Sequence, residues 1–285
     1  MVSSILKRWI KFSAINKAAL ICGVPVPEKG DRNDTFSVLN WNIFKQNRTS
    51  FLGDMRTLVQ CLNPDFMVFQ EALLTPPLIA MLEKELFLSW ASSPNIYARN
   101  HKTHSGVLTA SKYKPHSERA LISASTEPFL NTPKSMLFST YKLWPSGPVL
   151  LVVNVHALNF KLGLEDYKKQ LKQVFTIVAQ HGGPIIVSGD FNSWSRKRTD
   201  SLLGLARDAG MSRVEFENMR FGRFPISGKA IDHIFYSGAS LAPLEGSARC
   251  LDHIQSSDHF PMVVKFGVFP GTQRRGEGRR GERER

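Results

Sequence analysis

The stretch VLLVVNVHALNFKLGLEDYKKQLKQVFTIVAQHGGPIIVSGDFN, residues 149–192, decides the fold class. From Val149 to Val155 it is almost wholly apolar, the pattern of a central strand covered on both faces. Leu164, Tyr167, Leu171, Val174, Phe175 and Val178 then recur at the spacing of an amphipathic helix. Gly182-Gly183-Pro184 ends that helix, and Ile185–Asp190 is a second buried strand. Strand, helix and strand in succession point to an α/β protein. Each strand also delivers polar groups at its end: His156 from the first, Asp190 and Asn192 from the second.

The same pattern extends outward. Residues 35–43 alternate and are β-branched, as a strand requires. Leu52, Met55, Leu58, Val59 and Leu62 mark a helix that Asn63-Pro64 stops. A short buried strand over 65–71 follows, and Pro76-Pro77 opens a helix to about Leu88. Further strands are expected at 105–111, 135–143, 148–156, 230–236 and 260–267, with a helix near 200–209. Hairpin spacing mixed with intervening helices favours two sheets packed face to face with helices outside. The chain divides into a basic N-terminal extension and linker (1–34), one folded domain (35–268) and an Arg/Gly/Glu tail (269–285). The tail has no apolar face and is expected to be disordered.

The 285 residues carry a formal charge of +13. The first 34 residues and the last 12 hold +3 each, so about +7 belongs to the middle. Such a balance points to an anionic partner: nucleic acid, an anionic membrane surface or a phosphorylated molecule. The three cysteines, Cys22, Cys61 and Cys250, form no metal-binding pair or disulfide framework, which fits a reducing compartment. No apolar run approaches the roughly 18–20 residues of a membrane-spanning helix. The N-terminal segment reads as a loosely attached amphipathic helix rather than a secretory leader. A cytoplasmic monomer is the expectation.

Strand ends carry the chemistry. Asn42, Glu71, His156, Asp190 and Asn192 follow apolar runs, and Asp258-His259 precede one. Carboxylates and amides are hard oxygen ligands, suited to Mg²⁺ or Mn²⁺ rather than zinc. Singly, each has an ordinary reading: a solvated Glu71, a core His156, a turn-capping Asp232-His233, an Asx turn at Asp190. The ordered joint occurrence is what points to a site.

Asn40-Trp41-Asn42, Gln70-Glu71, Ser105-Gly106-Val107, Asn154-Val155-His156, Gly189-Asp190-Phe191-Asn192, Asp232-His233-Ile234-Phe235 and Ser257-Asp258-His259-Phe260-Pro261 resemble the motif series of the endonuclease/exonuclease/phosphatase superfamily. That superfamily includes DNase I-like nucleases, apurinic endonucleases, neutral sphingomyelinases and inositol-polyphosphate phosphatases. The wording around Asn42, His156 and Asp190 looks especially like its YafD-like bacterial branch. The resemblance implies a four-layer α/β sandwich of two mixed sheets. It also implies Glu71, Asn42 and Asp258 as ligands of Mg²⁺ or Mn²⁺, and His156 as a phosphate donor. Asp190 would orient or deprotonate the attacking water, with Asn192 on the phosphate. Asp232 would pair with His259 as base or phosphate clamp.

Three functions compete on this reading. A nuclease would use Trp194 to stack on a base and Arg196 and Arg198 to grip phosphates, with His101 a further substrate contact. A phospholipid or small-phosphoester hydrolase would rest its basic N-terminus on an anionic bilayer. A nucleic-acid binder without turnover would need only the basic surface.

Overall fold

The computed structural model describes residues 12–23, 34–128, 131–159, 163–216, 230–237 and 239–269. In chain order the elements are β1 (Phe12–Ala14), β2 (Ile21–Cys22), β3 (Thr35–Asn42), α1 (Phe51–Leu62), β4 (Phe66–Leu73), α2 (Pro76–Ala80), β5 (Ser89–Ala98) and β6 (Thr103–Ser111). Next come β7 (Pro115–Thr126), β8 (Pro133–Lys142), β9 (Val149–His156), α3 (Glu165–Val178), β10 (Ile185–Asp190) and α4 (Arg196–Asp208). Strands β11 (Met211–Arg213), β12 (Asp232–Ser237), β13 (Leu241–Pro243), β14 (Arg249–Cys250) and β15 (Met262–Val268) complete the order.

Local chemistry sets the helix ends. Asn63 takes a left-handed conformation and returns its N–H to the Val59 carbonyl, closing α1. Thr75 caps α2 through the Leu78 N–H, with Pro76 in the first turn. Ser195 caps α4 through the Arg198 N–H.

Two mixed sheets result. The first has the path β1-β5-β6-β4-β3-β15-β13, with β2 on β5 and β14 on β15. The second runs β11-β12-β10-β9-β8-β7. Only the pairs β3/β4 and β9/β10 are parallel among the described strands. The period of two sorts each strand between two cores. Phe36, Val38, Phe66, Val68, Leu150, Val152, Ile186 and Ile234 meet between the sheets. Their neighbours Leu39, Trp41, Met67 and Phe69 face α1 and α2. Leu151, Val153, Val155 and Val187 face α3 and α4. The layers are therefore helix, sheet, sheet, helix, as expected.

Several strands fall outside the sequence reading. Strand β5 contains Pro94 and five small residues and shows no β-branched alternation; Pro94 is tolerated at a register shift against β6. Strand β7 is a polar edge strand. Residues 12–22 are not helical: β1 and β2 extend the first sheet along β5, so that sheet begins ahead of Thr35. Residues 1–11, the linker at 24–33 and the tail from 270 onward lie outside the described residues.

Gly189 marks the closest approach of the two parallel strands. A Cβ there would lie 1.9 Å from the Val155 carbonyl oxygen. Gly189→Ala is expected to lower stability by about 1–3 kcal/mol in urea unfolding, the cost of overpacking a tight contact.

Candidate metal and phosphate site

The inter-sheet face of each central strand is apolar along most of its length and then turns polar at one edge. Continuing the alternation from Phe36 and Val38 gives Asn40 and Asn42. Continuing from Leu150 and Val152 gives Asn154 and His156, and from Ile186, Ser188 and Asp190. Strand β12 runs antiparallel to β10, so its first residue, Asp232, lies opposite Asp190. Strand β15 runs antiparallel to β3, so Asp258 and His259, just before it, reach the same edge. Glu71 arrives differently. A register shift between Phe69 and Ala72 interrupts β4, and Glu71 takes φ 52°, a left-handed conformation costly for a residue with a Cβ.

Asp190 is the hub. Its Oδ2 accepts from Asn42 Nδ2 at 3.1 Å and lies 3.4 Å from His156 Nε2 and 4.0 Å from His259 Nε2. Its Oδ1 accepts from the Asn192 N–H at 3.0 Å. Asp232 Oδ2 lies 2.7 Å from His259 Nδ1. Asn192, itself at φ 48°, donates from Nδ2 to the Ala157 carbonyl at 2.9 Å. Asn42 Oδ1 accepts from the Phe44 N–H at 3.1 Å, leaving that oxygen one lone pair for a ligand.

Burial and charge set the protonation states. Burial, reinforced by Asp232, raises Asp190 above the usual carboxylate range despite His259. Burial opposes charge on His259, but Asp232, then Asp190 and Asp258, outweigh it and push the ring up to about 10. Burial and then Lys134 hold His156 well below its ordinary value, so this imidazole is neutral. Burial also opposes charge on Glu71, yet Lys45 and then Lys134 hold it well below the carboxylate range. Burial raises Asp258.

The motif residues between these groups act as positioning residues. The Ser257 hydroxyl donates to the Asn42 carbonyl at 2.6 Å, and Trp41 Nε1 donates to the His259 carbonyl at 3.0 Å. Together they fasten the Asp258-His259 loop to β3. One layer below the site, Gln70 Nε2 donates to Asn40 Oδ1 at 3.1 Å and to Asn154 Oδ1 at 2.9 Å, joining the two sheets. His233 points away from the site: it is buried, stays neutral, and packs beside Phe191 and Phe235.

Three residues absent from the sequence reading belong to this edge. Lys134 Nζ lies 3.1 Å from His156 Nε2 and 3.2 Å from the buried carboxylate of Glu127. Lys45 pairs with Glu71 Oε2. Lys134 carries little signal in the sequence, since β8 also holds Ser135, Ser139, Thr140 and Lys142. It stands at the start of β8 rather than at the end, and β8 runs antiparallel to β9, which brings that start to the site.

The proposed substrate contacts divide. Arg198 is corrected: it is 1% exposed, and its Nη1 donates to the Leu158 and Asn192 carbonyls at 2.6 and 3.1 Å. Its guanidinium also stacks on Tyr167 and Trp194, so it braces the Asn192 loop from inside instead of meeting a phosphate in solvent. Trp194 is half-buried with one face on Arg198 and its Nε1 on Asn159. Arg196 is exposed at the start of α4. His101 is exposed in the turn before β6, which lies beside the end of β4.

The profile of the Endonuclease/Exonuclease/phosphatase family matches residues 39–259, enclosing every group described above. The chain belongs to this family. Members of the family are usually phosphodiester hydrolases. A UPF0294 protein of Yersinia pseudotuberculosis is 36% identical over 245 residues, covering 86% of this chain and 88% of that protein. An endonuclease/exonuclease/phosphatase from Beutenbergia cavernae superposes with a TM-score of 0.65 at 15% identity, covering 84% of this chain and 73% of the other. Danio rerio TDP2, in complex with a single-strand DNA product, superposes with a TM-score of 0.64 at 16% identity, over 82% of this chain and all of the other. These two likenesses establish the fold.

The donors fit the divalent cation typical of the family. The carboxylates of Asp190 and Asp232 and the ring of His259 come within 4.8 Å of one another, and with His259 protonated it is the carboxylates that offer ligand atoms. Asp232 Oδ1 is buried and has no hydrogen-bond partner among the described residues, as a group waiting for a cation or its water would be. Glu71 and Asp258 feel one another's charge and add further oxygens.

Two outcomes follow from this geometry. His259 titrates higher folded than the roughly 6.5 of an unfolded histidine. Its charged form therefore contributes stability in full below that pH and loses it as pH rises through about 10. In Asp232→Asn, NMR titration of the ring should give a lower pKa, and the stability deficit against wild type should shrink between pH 7 and pH 10. Arg198→Met should cost on the order of 2–3 kcal/mol, because two carbonyls lose a charged donor, whereas Arg196→Ala should leave the melting temperature unchanged.

Proposed function

We propose that the chain is a divalent-metal-dependent phosphodiesterase acting on nucleic acid, by in-line attack of water on phosphorus. The observation that carries this reading is the convergence of Asn42, Glu71, His156, Asp190, Asp232 and His259 on one edge of the two-sheet sandwich. The bound Mg²⁺ or Mn²⁺, held by Glu71 and Asp258 with the Asn42 oxygen, would neutralise a phosphate oxygen and the charge that develops on it.

The protein groups have separable tasks. Asp190 takes the proton of the attacking water, and burial makes it a stronger base than a solvated aspartate. The 4.0 Å between Asp190 Oδ2 and His259 Nε2 is too long for a hydrogen bond, and an oxygen about 2.8 Å from each would touch both. His259, kept charged by Asp232, donates to the phosphate and stabilises its equatorial oxygens. Lys134, beside His156, and Asn192 add further donors.

Nucleic acid is favoured as substrate by the basic balance of the chain and by Arg196 and Lys197, exposed four and five residues beyond Asn192. The DNA product complex of TDP2 shows the same sandwich serving such a substrate in that protein.

The test is cleavage of single-stranded DNA, duplex DNA, RNA and a chromogenic bis-phosphodiester with Mg²⁺ and with Mn²⁺. Glu71→Ala and Asp190→Asn should each lower kcat by roughly 10³-fold, with an unchanged circular dichroism spectrum. Arg196→Ala with Lys197→Ala should raise KM several-fold on DNA and leave the bis-ester unaffected. Survival of all four substrates, or equal turnover by the Glu71 variant, would contradict the proposal.

A further inference from the structure

We propose that Lys45 is a tethered counter-ion of Glu71 that an incoming divalent cation has to displace, so that the chain itself sets the metal concentration at which its site fills. The inference rests on the metal-site reading above and adds a competitor to it.

Both partners of the ion pair sit on unusual backbone. Glu71 is at φ 52°, and Lys45 lies in a turn whose three residues, Phe44, Lys45 and Gln46, all have positive φ (46°, 55° and 49°). Residues with a Cβ avoid this left-handed region, and three in succession require outside support. The support is visible at both ends. Asn42 Oδ1 accepts the Phe44 N–H, and the Gln46 amide, its nitrogen toward the Leu73 carbonyl and its oxygen toward the Leu73 N–H, pairs with the end of β4 at 3.1 Å each way. The turn is thus pinned to the two strands that carry Asn42 and Glu71. Its middle residue is the one that reaches the Glu71 carboxylate.

The two lysines at this edge differ in a telling way. Lys134 is 8% exposed and held between Glu127 and His156, so its ammonium is fixed. Lys45 meets Glu71 through a side chain 30% exposed. It can leave for solvent without stranding a buried charge, while Glu71 cannot. A cation on Glu71 and an ammonium on the same carboxylate oxygen exclude one another by contact and by like charge. Metal binding therefore includes the cost of breaking this pair, and that cost disappears when the ammonium is removed.

The experiment is isothermal titration of the full chain with Mn²⁺, without substrate, for wild type, Lys45→Met, Lys45→Arg and Glu71→Gln. Lys45→Met should bind Mn²⁺ about 5–10-fold more tightly than wild type, the range a partly exposed charged pair supports. Lys45→Arg should stay near wild type. In the Glu71→Gln background, Lys45→Met should have no effect, because the contested carboxylate is gone. Unchanged or weaker Mn²⁺ binding by a folded Lys45→Met overturns the inference. If Glu71→Gln weakens Mn²⁺ binding while Lys45→Met does not tighten it, the metal site stands and the competition falls. If neither substitution changes Mn²⁺ binding, both fall.

Discussion

A carboxylate buried between two sheets must be compensated, and Asp190 is compensated from both. Asn42 reaches it from the first sheet and His259 from the loop that leads into β15 of that sheet; His156 and the Asn192 N–H reach it from the second sheet and its loops. Leaving such a group unpaired would cost several kcal/mol. The contacts that offset this burial also bring the chemical groups together. Folding and assembly of the site are in this sense one event: the strands cannot adopt their register without delivering the donors.

The rest of the architecture serves that register. Alternation along β3, β9 and β10 puts apolar residues between the sheets for most of their length and polar ones at a single edge. The amide layer of Asn40, Gln70 and Asn154 bridges the sheets just beneath the site. Gly189 permits the close approach to Val155, and Ser257 and Trp41 fasten the loop that supplies His259. Left-handed backbone recurs at this edge, at Glu71, Asn192 and the Phe44–Gln46 turn, as it also does at Asn63, Phe87, Lys102 and Asn131 elsewhere.

Much of this was legible in the sequence, for identifiable reasons. A polar residue that closes an apolar run is visible in a sequence, which is why Asn42, Glu71, His156 and Asp190 could be picked out as candidates. Lys134 was hidden because it begins an antiparallel strand, and Lys45 because no periodicity describes a left-handed turn. Arg198 was misread because a cation in a run of three looks solvated, whereas aromatic faces and two carbonyls make its buried position favourable. Strand β5 was missed because small residues and Pro94 carry no strand signal; its neighbours in the sheet impose the conformation.

The proposed site gathers side chains scattered along the chain around one divalent cation. The most direct measurement is the anomalous diffraction of Mn²⁺ soaked into crystals of the full chain. A strong peak is expected at coordination distance from the Glu71 carboxylate, at the edge shared by both sheets. A peak confined to some other part of the molecule, or none at this edge at saturating Mn²⁺, would contradict it.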